Sequence, residues 1–250
     1  MIRFSAPLVV FSLLLLLVGC SSVQHDTSVP EGAFKAAEEY ENDEYYDEAL
    51  TRYADVKNRF PYSKFATEAE LRIADVNFKK EAWIEAQSAY QLFKDLHPKH
   101  PRIDYVTHRM SLSYFNQLPS TIDRDLSVAE KAIATFDEVI KSYPQTEYAK
   151  EAQTKRSEAR KMLAEKMLYI AKFYFVRDIF DSALLRYESL LAGYSSEGFA
   201  PQALLGAGVS ALEVGERARG EQHLKELVKT YSQTPEADEA QDKLRTYGLL

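Results

Sequence analysis

The chain has 250 residues, a formal net charge of −7 and 28% charged residues. This acidity disfavours nucleic acid as a partner, because phosphate contacts need a surplus of lysine and arginine. Aromatic residues make up 12% of the chain, while glycine and proline number only nine each and strand-like alternation is nearly absent. The composition therefore predicts an almost wholly helical protein with ample core material.

The first 19 residues have the pattern of a bacterial lipoprotein signal peptide. Arg3 precedes an apolar run from Leu8 to Val18, which is too short to span a bilayer as a helix. The only cysteine, Cys20, follows Leu17-Val18-Gly19 in the manner of a lipobox. We expect Cys20 to carry an S-diacylglycerol thioether and an N-acyl group, with no other cofactor. The alternative is a buried cysteine at the end of an uncleaved anchor.

Cleavage before Cys20 would remove the one positive charge of Arg3, and the net charge of the mature chain would go from −7 to −8. Two or three acyl chains, at about 0.8 kcal/mol per buried methylene, would hold it stably on a membrane. Ser21 permits transfer to the outer membrane under the sorting rule of enteric bacteria, a rule that depends on the taxon. Residues 20–30 are polar and lack apolar periodicity, so they are predicted to form a flexible tether.

A pattern with helical spacing recurs five times along the rest of the chain. Each copy has a small residue, a large apolar residue four positions later and another three positions after that, and proline follows the first three copies. These spacings place the side chains on one face of a helix, which the proline ends. The copies are Ala49, Tyr53 and Val56; Ala86, Tyr90 and Phe93; Ala132, Phe136 and Val139; Ala183, Tyr187 and Leu190; and Gly220, Leu224 and Leu227.

A second small residue lies twelve positions before the first small residue in four of the five copies. These residues are Ala37, Ala74, Ala171 and Gly208. Small residues on two successive helices permit close packing, as in tetratricopeptide repeats (TPRs). We therefore predict an all-α TPR superhelical solenoid of five helix-turn-helix repeats, with a generic helical bundle as the alternative.

The spacing between copies predicts the domain organisation. Successive small residues of the second helices are 37, 46, 51 and 37 residues apart. A loop from Gln117 to Asp125 lengthens the second interval, and a continuous helical pattern of about 46 Å lengthens the third. We predict an N-terminal block of repeats 1–3 over residues 31–146. A bridging helix over 147–177 would include the first helix of repeat 4, and a C-terminal block of repeats 4 and 5 would occupy 178–250.

The sequence has no recognisable pattern of catalytic residues. His97, His100 and His108 lie close together, but prolines force a turn around the first two and no further zinc ligand is evident nearby. No Ser-His-Asp signature or glycine-rich phosphate loop is present. We expect a protein that is not an enzyme and holds no metal.

A repeat solenoid offers instead a concave surface formed by the first helix of each repeat. Six residues of repeats 1 and 2 lie one helical step from the packing stripe, and they are Phe34, Glu38, Glu41, Leu71, Asp75 and Phe78. This mixture of apolar side chains and carboxylates suits an extended client peptide with apolar side chains. The alternative is that Phe34 and Leu71 pack between repeats.

Several segments go beyond the general repeat and resemble the BamD (ComL) family of lipoproteins, which belong to the outer-membrane β-barrel assembly machinery. They include Arg59-Phe60-Pro61-Tyr62-Ser63, the stretch from His97 to Val106, and Tyr143-Pro144-Gln145-Thr146-Glu147-Tyr148. The histidine-proline turn followed by Ile103-Asp104-Tyr105 is the most specific of these signals. The resemblance covers most of the mature chain.

The resemblance implies a non-enzymatic scaffold, lipid-anchored at the periplasmic face of the outer membrane. It implies that the N-terminal repeats bind the C-terminal sorting signals of unfolded outer-membrane proteins. The C-terminal repeats would hold the periplasmic domains of the central barrel-forming (BamA-like) subunit, with Arg186 as a contact. Other assembly lipoproteins are expected companions, although the loop after Asn116 is shorter than in enterobacterial relatives. The alternative function is a TPR lipoprotein adaptor for peptidoglycan synthesis or cell division.

Overall fold

The computed structural model describes residues 25–249, and this part of the chain contains helices and no strands. The predictions for the signal peptide, for Cys20 and for the first residues of the tether lie outside the described residues. The helices are α1 Pro30–Asn42, α2 Tyr46–Arg59, α3 Lys64–Lys79, α4 Trp83–Leu96, α5 Ile103–Asn116, α6 Ser127–Ser142, α7 Tyr148–Phe175, α8 Phe180–Tyr194, α9 Ala200–Glu213, α10 Arg217–Thr230 and α11 Pro235–Thr246. A short 3₁₀ turn, Ser195–Glu197, follows α8.

The helices form five successive hairpins, α1/α2 to α9/α10, and the second helix of each hairpin also packs against the helix that follows it. The core lies along the predicted stripe of small residues. Ala49, Ala86, Ala132 and Ala183 are all 0% exposed. The large residues four positions later are at most 3% exposed, and they are Tyr53, Tyr90, Phe136, Tyr187 and Leu224. The predicted TPR solenoid of five repeats is confirmed.

The turn between the two helices of a repeat has the same geometry in repeats 1, 2, 4 and 5. Glu44, Glu81, Asp178 and Gly215 each lie five residues before the small residue of the second helix and have φ between 58° and 85°. The next amide donates to a carbonyl five residues earlier, as from Ala82 N to Asn77 O at 3.0 Å. This left-handed C-terminal cap reverses the chain within three or four residues.

Repeat 3 departs from this geometry because residues 117–126 separate its two helices. The small residue of α5 is Ser111, which is 0% exposed and donates its hydroxyl to Thr107 O at 2.8 Å. Ser111 lies 21 positions before Ala132, so a search at a spacing of twelve misses it. The inserted loop changes the spacing and leaves the packing position in place.

Helices α7 and α11 add detail to the domain organisation that the sequence predicts. Helix α7 has 28 residues, or about 42 Å, and packs against α5 and α6 as well as α8 and α9. The division into two blocks of repeats on either side of it stays a prediction. Helix α11 was not predicted. It starts at the N-cap Thr234, with Pro235 in its first turn, and buries Ala237, Ala240 and Leu244 against the last repeat.

Candidate functional site

The acidic residues of α1 join repeat 1 to repeat 2. Glu41 is only 2% exposed; it accepts a hydrogen bond from the Tyr53 hydroxyl at 2.6 Å and pairs with Lys79 at 2.8 Å. Arg72 donates to Glu38 Oε1 at 2.9 Å. Glu38, predicted as a groove carboxylate, is therefore already neutralised by an arginine of the next repeat.

A second buried carboxylate joins repeat 2 to repeat 3. Asp75 is 5% exposed and accepts hydrogen bonds from the hydroxyls of Tyr90 at 2.6 Å and Tyr105 at 2.7 Å. Burial, followed by the nearby Asp75 charge, raises the pKa of Tyr90, and the same causes raise the pKa of Tyr105 to about 12. Both phenols therefore remain hydrogen-bond donors at neutral pH.

The remaining predicted groove residues are largely taken up by packing. Leu71 is 0% exposed within the core between repeats 2 and 3, and Phe34 is 7% exposed and packs on Tyr53 and Phe65. Phe78 is half-buried, with the Arg109 guanidinium 3.6 Å from its ring centroid.

The interpretation of Glu41, Leu71 and Asp75 as groove contacts was wrong, since all three are buried among groups of the protein itself. The physical reason is the close stacking of successive repeats. A position one helical step from the packing stripe faces the neighbouring repeat before it faces solvent. For Leu71 the alternative of packing between repeats is the one that the structure supports.

A cavity of about 500 Å³ lies at the N-terminal end of the solenoid, and its lining includes only one predicted groove residue. Its walls are Phe34, Phe65, Thr67, Glu68 and His100, with Lys64 at the edge. The Lys64 ammonium lies 5.1 Å from the centroid of the Phe65 ring. Lys64, Phe65 and Thr67 begin α3 outside the repeat pattern, so helical periodicity gave no signal for them.

Arg186 lies on α8, where its side chain is exposed beside Leu185, which is 62% exposed. Within residues 25–249 no hydrogen bond or ion pair engages Arg186. Arg219 on the neighbouring helix α10, in contrast, pairs with both Glu188 and Glu216. The guanidinium of Arg186 therefore remains available to a carboxylate from outside the chain.

The three clustered histidines, His97, His100 and His108, lie next to acidic and aromatic residues or are partly buried. His97 lies 2.7 Å from Glu70, and His108 is buried against Tyr148 with its Nε2 3.1 Å from Glu151. Burial lowers the pKa of both His100 and His108. In the described part of the chain, no three histidine, cysteine or acidic side chains are placed to hold a metal ion. Across residues 25–249, no helix combines the length and the apolar character that a membrane span requires.

The fold and these surfaces define a TPR adaptor protein. A family model described as "YfiO: Outer membrane lipoprotein" matches residues 27–227. The chain belongs to this family. Curated relatives named outer membrane protein assembly factor BamD include those of Neisseria meningitidis (serogroup A), with 25% identity over 74% of this chain and 72% of the relative, and Vibrio cholerae, with 25% identity over 72% and 79%. The BamD resemblance seen in the sequence is confirmed, and the chain is a non-enzymatic outer-membrane protein assembly factor.

Solved structures similar to this chain include TPR proteins. The TPR2AB domain of yeast Sti1, in a complex with pHSP90, aligns over 89% of this chain and 87% of its own, with 11% identity and a TM-score of 0.43. A thermophilic TPR protein of Thermus thermophilus aligns over 89% of this chain and all of its own, with 15% identity and a TM-score of 0.38.

Proposed function

We propose that the chain is a lipid-anchored adaptor that brings unfolded outer-membrane proteins to the central barrel-forming subunit. Repeats 1 and 2 would bind the C-terminal sorting signal of the client, and repeat 4 would dock the periplasmic domains of the central subunit. The lipid on Cys20 would hold the complex at the periplasmic face of the outer membrane. Other assembly lipoproteins would complete the machine.

The observation that carries this proposal is the cavity that Phe34 and Phe65 line together. Its volume of about 500 Å³ and its aromatic walls suit an aromatic side chain, which buries much apolar area at small entropic cost. Lys64 at its edge provides a cation without an ion-pair partner among the described residues, which suits the terminal carboxylate of a peptide. A C-terminal aromatic residue offers both groups at once.

The experiment is photocrosslinking of a synthetic C-terminal peptide from a β-barrel protein to the purified mature chain. Lys64→Glu should lower the yield about tenfold by replacing attraction to the carboxylate with repulsion. Thr67→Trp should lower the yield to a similar extent by filling the cavity. Lys131→Glu, an exposed charge reversal on α6, is the control and should retain the yield. Undiminished crosslinking in both cavity variants would reject the N-terminal binding site.

Phe34→Ala is a poor probe of this site, although Phe34 lines it. The side chain is 93% buried, since only 7% is exposed. Its removal would cost about 3–5 kcal/mol of stability, so a lost peptide contact and a lost fold would look alike. The partly exposed positions at the start of α3 avoid that ambiguity.

Arg186 is the proposed docking residue for the central subunit. The side chain offers five donors in a planar fork, which match a carboxylate of a partner in a bidentate pair. The exposed Leu185 beside it adds apolar surface. Arg52 stands directly before Tyr53 in repeat 1, just as Arg186 stands directly before Tyr187 in repeat 4, so it is a control at the same repeat position.

A further inference from the structure

One tyrosine of the core lacks the partner that its counterparts have. In repeats 1 and 2 the tyrosine four positions after the small residue donates its hydroxyl to a buried carboxylate, from Tyr53 to Glu41 and from Tyr90 to Asp75, each at 2.6 Å. Tyr187 occupies this position in repeat 4 and is only 3% exposed. No residue between 25 and 249 forms a hydrogen bond with its hydroxyl. The Tyr187 hydroxyl opens onto a neighbouring cavity, so a group that enters this cavity can accept a hydrogen bond from it.

The missing carboxylates have been replaced by residues of different chemistry. Asp75 directly follows the small residue Ala74, and the residue that directly follows Ala171 in repeat 4 is Lys172. Glu41 lies four positions after Ala37, and the residue at that distance from Ala171 is Phe175. Repeat 4 therefore has a lysine where repeat 2 has Asp75 and an aromatic ring where repeat 1 has Glu41.

Tyr187 lines a cavity of about 500 Å³ between α7, α9 and α11, which we call the C-terminal cavity. Its walls include the apolar side chains of Phe175, Leu205 and Val209. Gly206 makes room for the tyrosine ring, because a Cβ at that position would lie 2.3 Å from its Cζ atom. The phenol therefore forms part of the wall of an apolar cavity, where burial raises its pKa to about 12 and keeps it a donor.

The rim of the C-terminal cavity carries charges of both signs. Lys172 and Lys243 line it together with Glu236 and Glu239. Lys172 donates to the neutral Gln202 side chain at 3.1 Å, and within the described part of the chain neither rim carboxylate forms an ion pair. Glu236 and Glu239 belong to α11, which closes the cavity from outside the five repeats.

We infer that the C-terminal cavity binds an extended segment of another protein that carries an acidic side chain next to an apolar one. The carboxylate of that segment accepts from the Tyr187 hydroxyl and faces Lys172, so that the partner supplies the acid that repeats 1 and 2 supply internally. The apolar side chain fills the space beside Phe175, Leu205 and Val209. A basic residue of the same segment faces Glu236 and Glu239. This site is separate from the N-terminal cavity and does not depend on Arg186.

The test places a photoreactive benzoylphenylalanine at Glu239 of the full-length chain in its native membranes. We expect an adduct with a different protein, in which the crosslinked segment, mapped by mass spectrometry, contains Asp or Glu beside an apolar residue. Tyr187→Phe should lower the yield about tenfold, whereas Tyr53→Phe should leave it unchanged, because the Tyr53 hydroxyl is satisfied within the chain. The same photoreactive residue at Glu226, exposed on α10 and outside the cavity, is the background control.

A synthetic peptide of the mapped segment then separates the hydrogen bond from general packing. Changing its acidic residue to the amide should weaken binding about tenfold to the unmodified chain and have little further effect on the Tyr187→Phe variant. Three results would each overturn the inference: no adduct above the Glu226 control, an adduct with a second copy of this chain, or a yield that Tyr187→Phe does not change. Arg186→Glu should not affect this adduct, so its failure is distinct from failure of the proposed docking site.

Discussion

Repeats 1 and 2 differ from repeat 4 in how they satisfy the same buried tyrosine. Glu41 and Asp75 accept from Tyr53 and Tyr90 and link each repeat to the next, whereas Tyr187 meets no acceptor within residues 25–249. The N-terminal repeats thus use their buried polar groups for internal cohesion. Repeat 4 keeps the ring for packing and leaves its hydroxyl in the wall of a cavity. A shared position in a repeat serves stability in one region and is available for binding in the other.

The largest expected effect comes from removing a buried acceptor. Asp75→Ala leaves the hydroxyls of Tyr90 and Tyr105 without their partner, and we expect a loss of about 3 kcal/mol in the free energy of unfolding. Lys172→Ala alters the corresponding exposed position of repeat 4 and should change stability by less than about 0.5 kcal/mol. Urea unfolding followed by circular dichroism measures both. Equal losses in the two variants would mean that the repeats do not differ in this way.

A smaller effect is expected from removing the hydroxyls themselves. Tyr53→Phe and Tyr90→Phe each lose a hydrogen bond to a buried carboxylate and should cost about 1.5–2 kcal/mol. Tyr187→Phe removes a hydroxyl without an internal partner, so the unliganded chain should be unchanged or slightly more stable. Thermal unfolding of the three purified variants compares them. Destabilisation by Tyr187→Phe equal to that of Tyr53→Phe would show that its hydroxyl has an internal partner.

A third effect is confined to alkaline pH. Burial raises the pKa of Tyr187 from 10.0 to about 12, and burial with the nearby Asp75 charge does the same for Tyr105. The fold favours the protonated form of each phenol. The contribution of each phenol to the free energy of unfolding is therefore fully present below pH 10 and is lost as the pH rises towards about 12. Tyr187→Phe should flatten the decline without changing stability at pH 7. Tyr105→Phe should flatten it as well, but with a loss at pH 7 because it removes a bond to Asp75. An unchanged decline in both variants would contradict the assignment.

The fold was predictable from the sequence because packing in a TPR depends on side-chain size at fixed intervals. The spacing of Ala49, Tyr53 and Val56 is enough to predict that they are buried, and the same holds for their counterparts in later repeats. The sequence pattern did not identify Ser111 as a packing residue, because the inserted loop changes its distance from Ala132. The repeat pattern did not predict helix α11, because this helix lies after the last repeat. Thr234 and Pro235 nevertheless form a recognisable helix start.

The candidate sites were harder to predict because a groove position and an inter-repeat packing position have the same helical phase. The sequence placed Leu71 and Asp75 on the inner face of α3, and only the structure shows that the neighbouring repeat covers them. Lys64 and Thr67 lie at the start of a helix, where the repeat pattern imposes no residue type. The role of Tyr187 depends on what stands opposite its hydroxyl in three dimensions, which spacing does not report.

In the proposed function, the chain joins client binding in repeats 1 and 2 to docking of the barrel-forming subunit through repeat 4. Affinity purification from solubilised outer membranes, with the lipidated chain as bait, tests it most directly. The unmodified chain and Arg52→Glu should retain the central barrel-forming subunit, and Arg186→Glu should lose it while its helical circular dichroism stays unchanged. Retention of that subunit by Arg186→Glu, or recovery of peptidoglycan synthases in place of a barrel protein, would rule out this function for repeat 4.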